Sequence, residues 1–577
     1  MIKNILKLIF GLMLLCGTVS AQEKKGEILF KAMQDELGRN MKELSLPGMQ
    51  RPFFMEYIIS EGKQLQISAT LGSISSINET PITRGVYARV LVGNYHRSNV
   101  MYYETRRTIV PGVPTISTTI DDNYGQIRRD LWRQTDVAYK KATEEYVKKI
   151  SELKLKNLSA ADTTMDDLCK VSPVNKIVPS MNVTIDKAGF THVLEELSGV
   201  FKNYPDIEFS EISGRINANE VYVVNSENSK YGFPNNMITI DINAMDHFAG
   251  KITSDRMSIC VLEQKDLSSL DDLKAQVKTF AENFLKLRNA QSIKDSYSGP
   301  VLFEGNAVGA LFENELFSGS GAFAVREPVM GTGNITLQDK MDSKVISNEF
   351  TVKCLPFLKE YEGKKLVGHF DMDLEGIVPE KELTLVENGV LKNIIGTRMP
   401  SKYNTAPSGY FRSGTQPMLV QGLLFPGVVD ISTSKGVAND TLKQLLLKTA
   451  KENGNKYAYI IRKLEGQSSS QIAQINPQMN NQTRSYNLIN LYRVNVADGT
   501  EELVRDAELR DLRKGILKVV LGSSNRKNVV NTTNSSTIPV TFIMPDAVLL
   551  PDLEIAMRKD IQRTLPAIVV NPLKDNS

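Results

Sequence analysis

Histidine, cysteine and tryptophan are scarce: the 577-residue chain carries four histidines, four cysteines and one tryptophan. Metal centres and catalytic triads draw on the first two, so few positions can carry such chemistry. An excess of one charge is lacking too. Lys and Arg number 69 and Asp and Glu 66, a net charge of +3, with a pI near 8.3. That is far from the basic surplus of a nucleic-acid-binding domain, and no nucleic-acid partner is expected. Beyond the first 21 residues no apolar run is long enough to span a bilayer. What is present is ordinary: 41% hydrophobic and 23% charged residues, which excludes disordered, collagen-like and coiled-coil proteins. The length exceeds one compact core and predicts two to four domains.

Residues 1–21 read as a secretory signal peptide. Lys3 and Lys7 supply the positive start, Leu8 to Cys16 the apolar run, and Val19-Ser20-Ala21 a small-residue cleavage site before Gln22. A periplasmic or secreted protein is expected. The mature chain then holds Cys169, Cys260 and Cys354, odd in number and far apart, with no CxxC knuckle. Cys260 and Cys354 have apolar neighbours and read as buried small hydrophobes. One disulfide among the three stays open in an oxidising compartment.

The patterning suggests an α+β protein: an N-terminal α/β domain over 22–165, a central α/β domain over 166–298, and a β-rich, barrel- or sandwich-like domain over 299–577. Phe54 to Ser60 and Gln64 to Ile77 alternate like strands, and Glu61-Gly62 between them predicts a hairpin. Val86 to Tyr95 follows as a strand. Apolar residues recur at three or four from Ile127 to Leu155 and predict a helix, its outer face a solvated stripe with Lys140, Lys141, Glu144 and Glu145. Strands are expected at Glu220–Val224, Met237–Ile242 and Met257–Leu262. A helix over Leu270–Arg288 has Leu273, Val277, Phe280, Ala281, Phe284 and Leu287 on one face, with Ser268 or Ser269 as N-cap. Gln291 to Gly299 reads as a polar break. Further on, a helix over Thr441–Lys451, capped by Asn439 or Asp440, precedes a strand at Tyr457–Lys463. A hairpin turns at Asp498-Gly499, and Ser468 to Gln482 reads as an exposed loop.

Pro300 to Phe312 reads as a strand, a tight turn and a helix, with Asn306 as N-cap. Here the chain resembles the TldD/PmbA (TldD/TldE) metallopeptidase-related family, whose active members carry HExxxH in this unit. Asp373-Leu-Glu-Gly376 followed by Leu383 to Lys392, Tyr492 to Gly499 leading to Glu508–Leu512, Gln421 to Ile431, and Ile543 to Leu550 are similar to other runs of its C-terminal domain. Upstream, Leu131 to Tyr139 and Val171 to Lys176 look like exported members. Aligning Ala307-Val308-Gly309 puts Gly305 and Ala310 at the two histidines and Asn306 at the glutamate. Glycine and alanine offer no donor to zinc, and an amide cannot take a proton from a metal-bound water. The active members' late cysteine is also missing, since none follows Cys354. The resemblance therefore implies a metal-free PmbA/TldE-type subunit, with no cofactor, no catalytic residue of its own, a metal-bearing paralogue as partner, and unfolded peptide held as an added strand.

Two other readings stay open. One is an active metallopeptidase with a relocated zinc site: His369, Asp371, Asp373 and Glu375 alternate, so on a strand they would share one face and form a reasonable divalent-metal set. The bland reading of that stretch is a half-exposed strand with a polar face and a turn at Asp373–Gly376. The other is a stand-alone periplasmic binding or assembly protein. His96, His192 and His247 are isolated. No GxSxG elbow exists, and the glycine-rich segments at 318–321 and 331–333 lack a P-loop lysine.

Overall fold

The computed structural model describes residues 26–100, 115–155, 164–178, 185–248, 251–317, 321–324, 337–417, 422–466, 486–510, 512, 514–534 and 537–558. The expected signal peptide, the 468–482 loop, and residues 318–320 and 331–333 of the glycine-rich segments lie outside these.

One long strand organises the first half. β1 (Pro52–Thr70) turns into β2 (Ser73–Glu79) through Leu71 and Gly72, both at positive φ, the two-residue turn whose twist suits a hairpin. β3 (Thr83–Val92) and β4 (Ile116–Ser117) complete one flank. β5 (Asn175–Ile177), β6 (Phe209–Asn225), β7 (Lys230–Pro234), β8 (Met237–Phe248) and β9 (Lys251–Val261) follow. All nine form one sheet, ordered β4-β3-β1-β6-β7-β5, with β2 on β1 and β8 and β9 extending from β6.

One expectation is corrected here. Glu61-Gly62 is not a turn. β1 runs straight through it, paired with β3 at Glu61↔Arg84 and with β6 at Gly62↔Asn219. Glu61 is in place as the partner of the fully buried Arg84, whose Nε donates to it at 2.6 Å. Gly62 serves close approach: a Cβ there would lie 2.6 Å from the Ala218 carbonyl oxygen. β1 and β6 pair over fourteen residues, so strands from before and after 165/166 lie in one sheet.

Helices cover one face. The helix α1 (described over 26–43) and α2 (Tyr124–Leu155) pack Phe30, Met33, Ile127, Leu131 and Tyr139 on Met55, Tyr57 and Ile59. The helices α3 (Lys187–Gly199) and α4 (Leu270–Asn289) cover Leu65 and Ile67 farther along β1. In α4 the six predicted apolar residues are all buried, and Ser269 caps the helix through the Asp272 amide, as its periodicity predicts. Even-numbered residues of β1 face the other way. Ile58 joins Tyr87, Val223 and Tyr231 in one continuous core with the second half of the chain.

That second half is a two-sheet sandwich without a closed barrel. An eight-stranded sheet runs from β10 (Gln291–Ser292) through Glu501–Arg505, Tyr486–Asn495 and Tyr457–Gly466 to β11 (Tyr297–Glu304), Ala547–Met557 and Ala507–Arg510, with Gly522–Ser523 paired on Ala547–Met557. A six-stranded sheet includes Phe350–Cys354, Val428–Thr433 and Pro539–Pro545. Val301 and Phe303 of β11 meet Val352, Ile431 and Phe542 between the sheets. On the outer face, Leu302, Ile460 and Leu549 take the apolar side of the Asn439–Glu452 helix. The Asp498-Gly499 hairpin forms as predicted, Gly499 at φ 74°. The expected polar break at 291–299 instead supplies β10 and the start of β11.

Gly62→Ala is expected to destabilise the protein by about 1–3 kcal/mol, the usual cost of overpacking. Chemical denaturation checks this. Unchanged stability would contradict a continuous β1 at that close approach.

Candidate functional site

β11 ends at Glu304, and the chain passes through Gly305 into the short helix α5 (Asn306–Phe312). Gly305 sits at φ 58°, ψ −128°, a backbone region that only glycine occupies at low cost. Its amide donates to the Asp546 carbonyl at 2.7 Å. A Cβ at Gly305 would meet nothing within 4 Å, so the requirement for glycine is one of backbone conformation. Asn306 is the first helical residue and exposed, and Gly305 occupies the cap position, which corrects the expected asparagine N-cap. The same holds at Asn439, where Ala438 takes the cap position. Ala307, Val308, Leu311 and Phe312 are buried, Phe312 edge-on to Phe350 at 5.2 Å, so the helix is held by packing.

Carboxylates flank this turn, and both are engaged. Glu304 accepts from Arg462 Nε at 2.7 Å. Arg462 also donates to Glu501 at 3.0 Å and lies over the Tyr492 ring at 4.3 Å, while Lys443 donates to Glu501 at 2.6 Å. Asp546 pairs with Arg526 and accepts from Asn439 at 2.8 Å. Zinc needs imidazole, thiolate or free carboxylate oxygens. Gly305, Asn306 and Ala310 supply none, and no three His, Cys, Asp or Glu side chains among the described residues form a group that could hold a metal ion. These residues do not fit a zinc ion.

The 369–375 candidates scatter as well. The stretch is a series of turns and not a strand, so alternation does not align them. The half-buried His369 has Nδ1 2.7 Å from the Leu366 carbonyl oxygen, and burial lowers its pKa. Asp371 is half-exposed. Asp373 is buried and accepts from the amides of Glu375 and Ile377, each at 2.9 Å, and of Phe411 at 3.1 Å. These bonds close the turn at Gly376, which has φ 77°. Cys169, Cys260 and Cys354 are free thiols. Burial pushes Cys260 up to about 11 and Cys354 well above the ordinary thiol value.

Glu375 leads to a cluster that the sequence does not announce. It accepts from the Arg398 amide at 2.9 Å and lies 3.7 Å from Arg89, which is 3.9 Å from Glu56. Arg398 donates to Glu227 at 2.7 Å and to the Cys169 carbonyl at 2.7 Å, and Tyr95 donates to Glu227 at 2.8 Å. Both guanidinium groups stand over the Phe54 ring, at 5.6 and 5.2 Å. The cluster lies where the nine-stranded sheet meets the sandwich. Burial pushes the Glu56 carboxyl up to about 7, opposed by Arg89. Burial and the neighbouring Glu375 raise Asp373 well above the ordinary carboxylate range. A signal existed: Glu56 sits between Met55 and Tyr57 in an otherwise apolar run.

Residues 296–445 match the PmbA/TldA metallopeptidase C-terminal domain. Its fold is similar to that of TldE from Thermococcus kodakarensis, with a TM-score of 0.58 at 15% identity over 91% of this chain and 100% of that one. It is also similar to a putative modulator of a DNA gyrase from Thermotoga maritima, with a TM-score of 0.54 at 15% identity over 91% and 100%. A third likeness is to a putative modulator of DNA gyrase from Bacteroides thetaiotaomicron, with a TM-score of 0.54 at 12% identity over 91% and 98%. No curated protein matches the sequence. Among the described residues no helix is long and apolar enough to cross a membrane.

Two outcomes follow. Gly305→Ala is expected to cost about 1–3 kcal/mol, the price of a strained backbone, although the new methyl enters open space. Thermal unfolding reads this, and an unchanged midpoint would contradict the glycine-only turn. Glu56 has a folded value raised from 4.5 to about 7, so folding takes up a proton between them. Its contribution to stability therefore falls as pH rises through that window and is level above it. In Glu56→Gln this loss disappears, so the variant gains on the wild type by up to about 3 kcal/mol from pH 4.5 to 7. A stability difference that stays flat over that range would contradict the assignment.

Proposed function

We propose that this chain is an exported member of the TldD/PmbA family that has lost the zinc site and serves as the non-catalytic, peptide-binding subunit beside a metal-bearing paralogue. One observation carries the reading. The turn that would present the first ligand holds Gly305 in a conformation other residues adopt only with strain, with no donor at 306 or 310 to complete a site. The flanking carboxylates of Glu304 and Asp546 are neutralised by Arg462 and Arg526, which supports a structural role for them. The positive start, apolar run and small-residue cleavage site within residues 1–21 support export. In this reading the chain contributes shape and strand edges, and a peptide adds to an edge through its main chain. The relocated-site alternative gains no support from His369, Asp371, Asp373 and Glu375, whose partners differ.

Reconstitution tests the proposal. The purified mature chain is expected to cleave no unfolded peptide alone, and activity is expected only on adding an exported HExxxH homologue. Cleavage by the isolated chain that disappears in His369→Ala would overturn it and favour the relocated site.

A further inference from the structure

The solvent side of the α1–α2 pair holds a cleft of ≈ 410 Å³ with walls of Glu36, Arg39, Tyr124, Arg128, Arg129 and Trp132. Its floor is a single buried carboxylate. Glu36 is 2% exposed and accepts from Arg39 Nε at 3.1 Å, from Arg128 Nε at 3.1 Å and from Asn40 at 3.0 Å. Arg128 also donates to the Tyr124 hydroxyl at 3.1 Å and lies over that ring at 5.4 Å. One buried anion thus fixes two guanidinium groups side by side, which removes much of the entropy a ligand would otherwise have to freeze.

The walls carry three arginines against one glutamate. Arg129 is exposed, with no carboxylate partner among the described residues. Lys31 and Asp35 beside the cleft neutralise each other at 2.7 Å, and Glu43 reaches Arg39 only at 3.7 Å from the rim. Next to Arg129 on the helix surface stands Trp132, the chain's one tryptophan, half-exposed at 50%. An indole left in solvent beside forked cations gives a flat apolar surface next to carboxylate-binding donors. The basic surface does not continue. Farther along α2, Lys140 pairs with Asp136 and Lys141 with Glu145, so no stripe tracks a nucleic-acid backbone.

From this we infer that the α1–α2 cleft binds a short acidic peptide segment, its Asp or Glu carboxylates on Arg128 and Arg129 and a neighbouring apolar side chain on Trp132. The site lies on the N-terminal sheet and stands whether or not the C-terminal domain has lost zinc. It gives the chain a means of choosing peptides by charge.

The lone tryptophan makes the test direct. The full mature chain is titrated with acetyl-Leu-Glu-Leu-Glu-Leu-amide while indole emission is followed. The expected result is a saturable emission change, at least tenfold weaker for the Gln-for-Glu peptide and weakened several-fold by 0.5 M salt, which shortens the screening length to about 4 Å. Arg129→Glu changes an exposed side chain, leaves folding intact by circular dichroism, and is expected to weaken binding at least fivefold. Calorimetry with Trp132→Phe separates lost signal from lost affinity, with affinity expected to fall. No saturable change, equal binding of the Gln peptide, equal saturation by inorganic phosphate alone, or an unaltered Arg129→Glu affinity would each overturn the inference.

Discussion

Arg89 and Arg398, buried over one phenylalanine ring, set the relation between the two halves of this protein. A buried guanidinium is tolerated only where carboxylates and carbonyls meet it, and here the partners come from both halves. Glu56 lies on β1 of the nine-stranded sheet and Glu227 in its β6–β7 turn, while Glu375 and Arg398 come from loops of the second half. Neither half can be displaced without stranding charge. Around this centre Ile58, Val223 and Tyr231 merge with the sandwich core, and the Tyr231 hydroxyl donates to the Leu374 carbonyl at 3.0 Å. The apolar contacts drive the halves together, and the ionic group fixes how they meet.

The same logic explains β1. Its odd residues need helices and the even residues of its first half need the sandwich, so that half is buried on both faces. Polar residues inside it occur where a partner waits: Glu56 near Arg89, and Glu61 on Arg84.

What could be read from the sequence was what local chemistry decides. The α4 face and its Ser269 cap, the reach of α2, the Asp498-Gly499 turn and the strand-turn-helix at 300–312 follow from spacing and turn residues within one element. The rest depends on distant partners. Glu61-Gly62 resembles a turn unless Arg84 and the Ala218 carbonyl are known to lie opposite. The 369–375 alternation imitates a strand because Asp373 spends its oxygens on amides two, four and thirty-eight residues away. The pairing of β1 with β6 across 165/166 is likewise not visible in either segment alone. At the candidate site, Gly305, Asn306 and Ala310 are legible as missing donors, whereas the backbone reason for Gly305 appears only in the structure.

Under the proposed reading, that backbone makes the loss of the zinc site more than a change of side chains. In that reading, a glycine conformation at 305, an exposed amide at 306 and flanking carboxylates held by arginine offer no free donor to a metal. Calorimetric titration of zinc into the metal-free mature protein addresses this most directly. The account predicts no saturating heat at micromolar zinc. A stoichiometric, tight isotherm would contradict it.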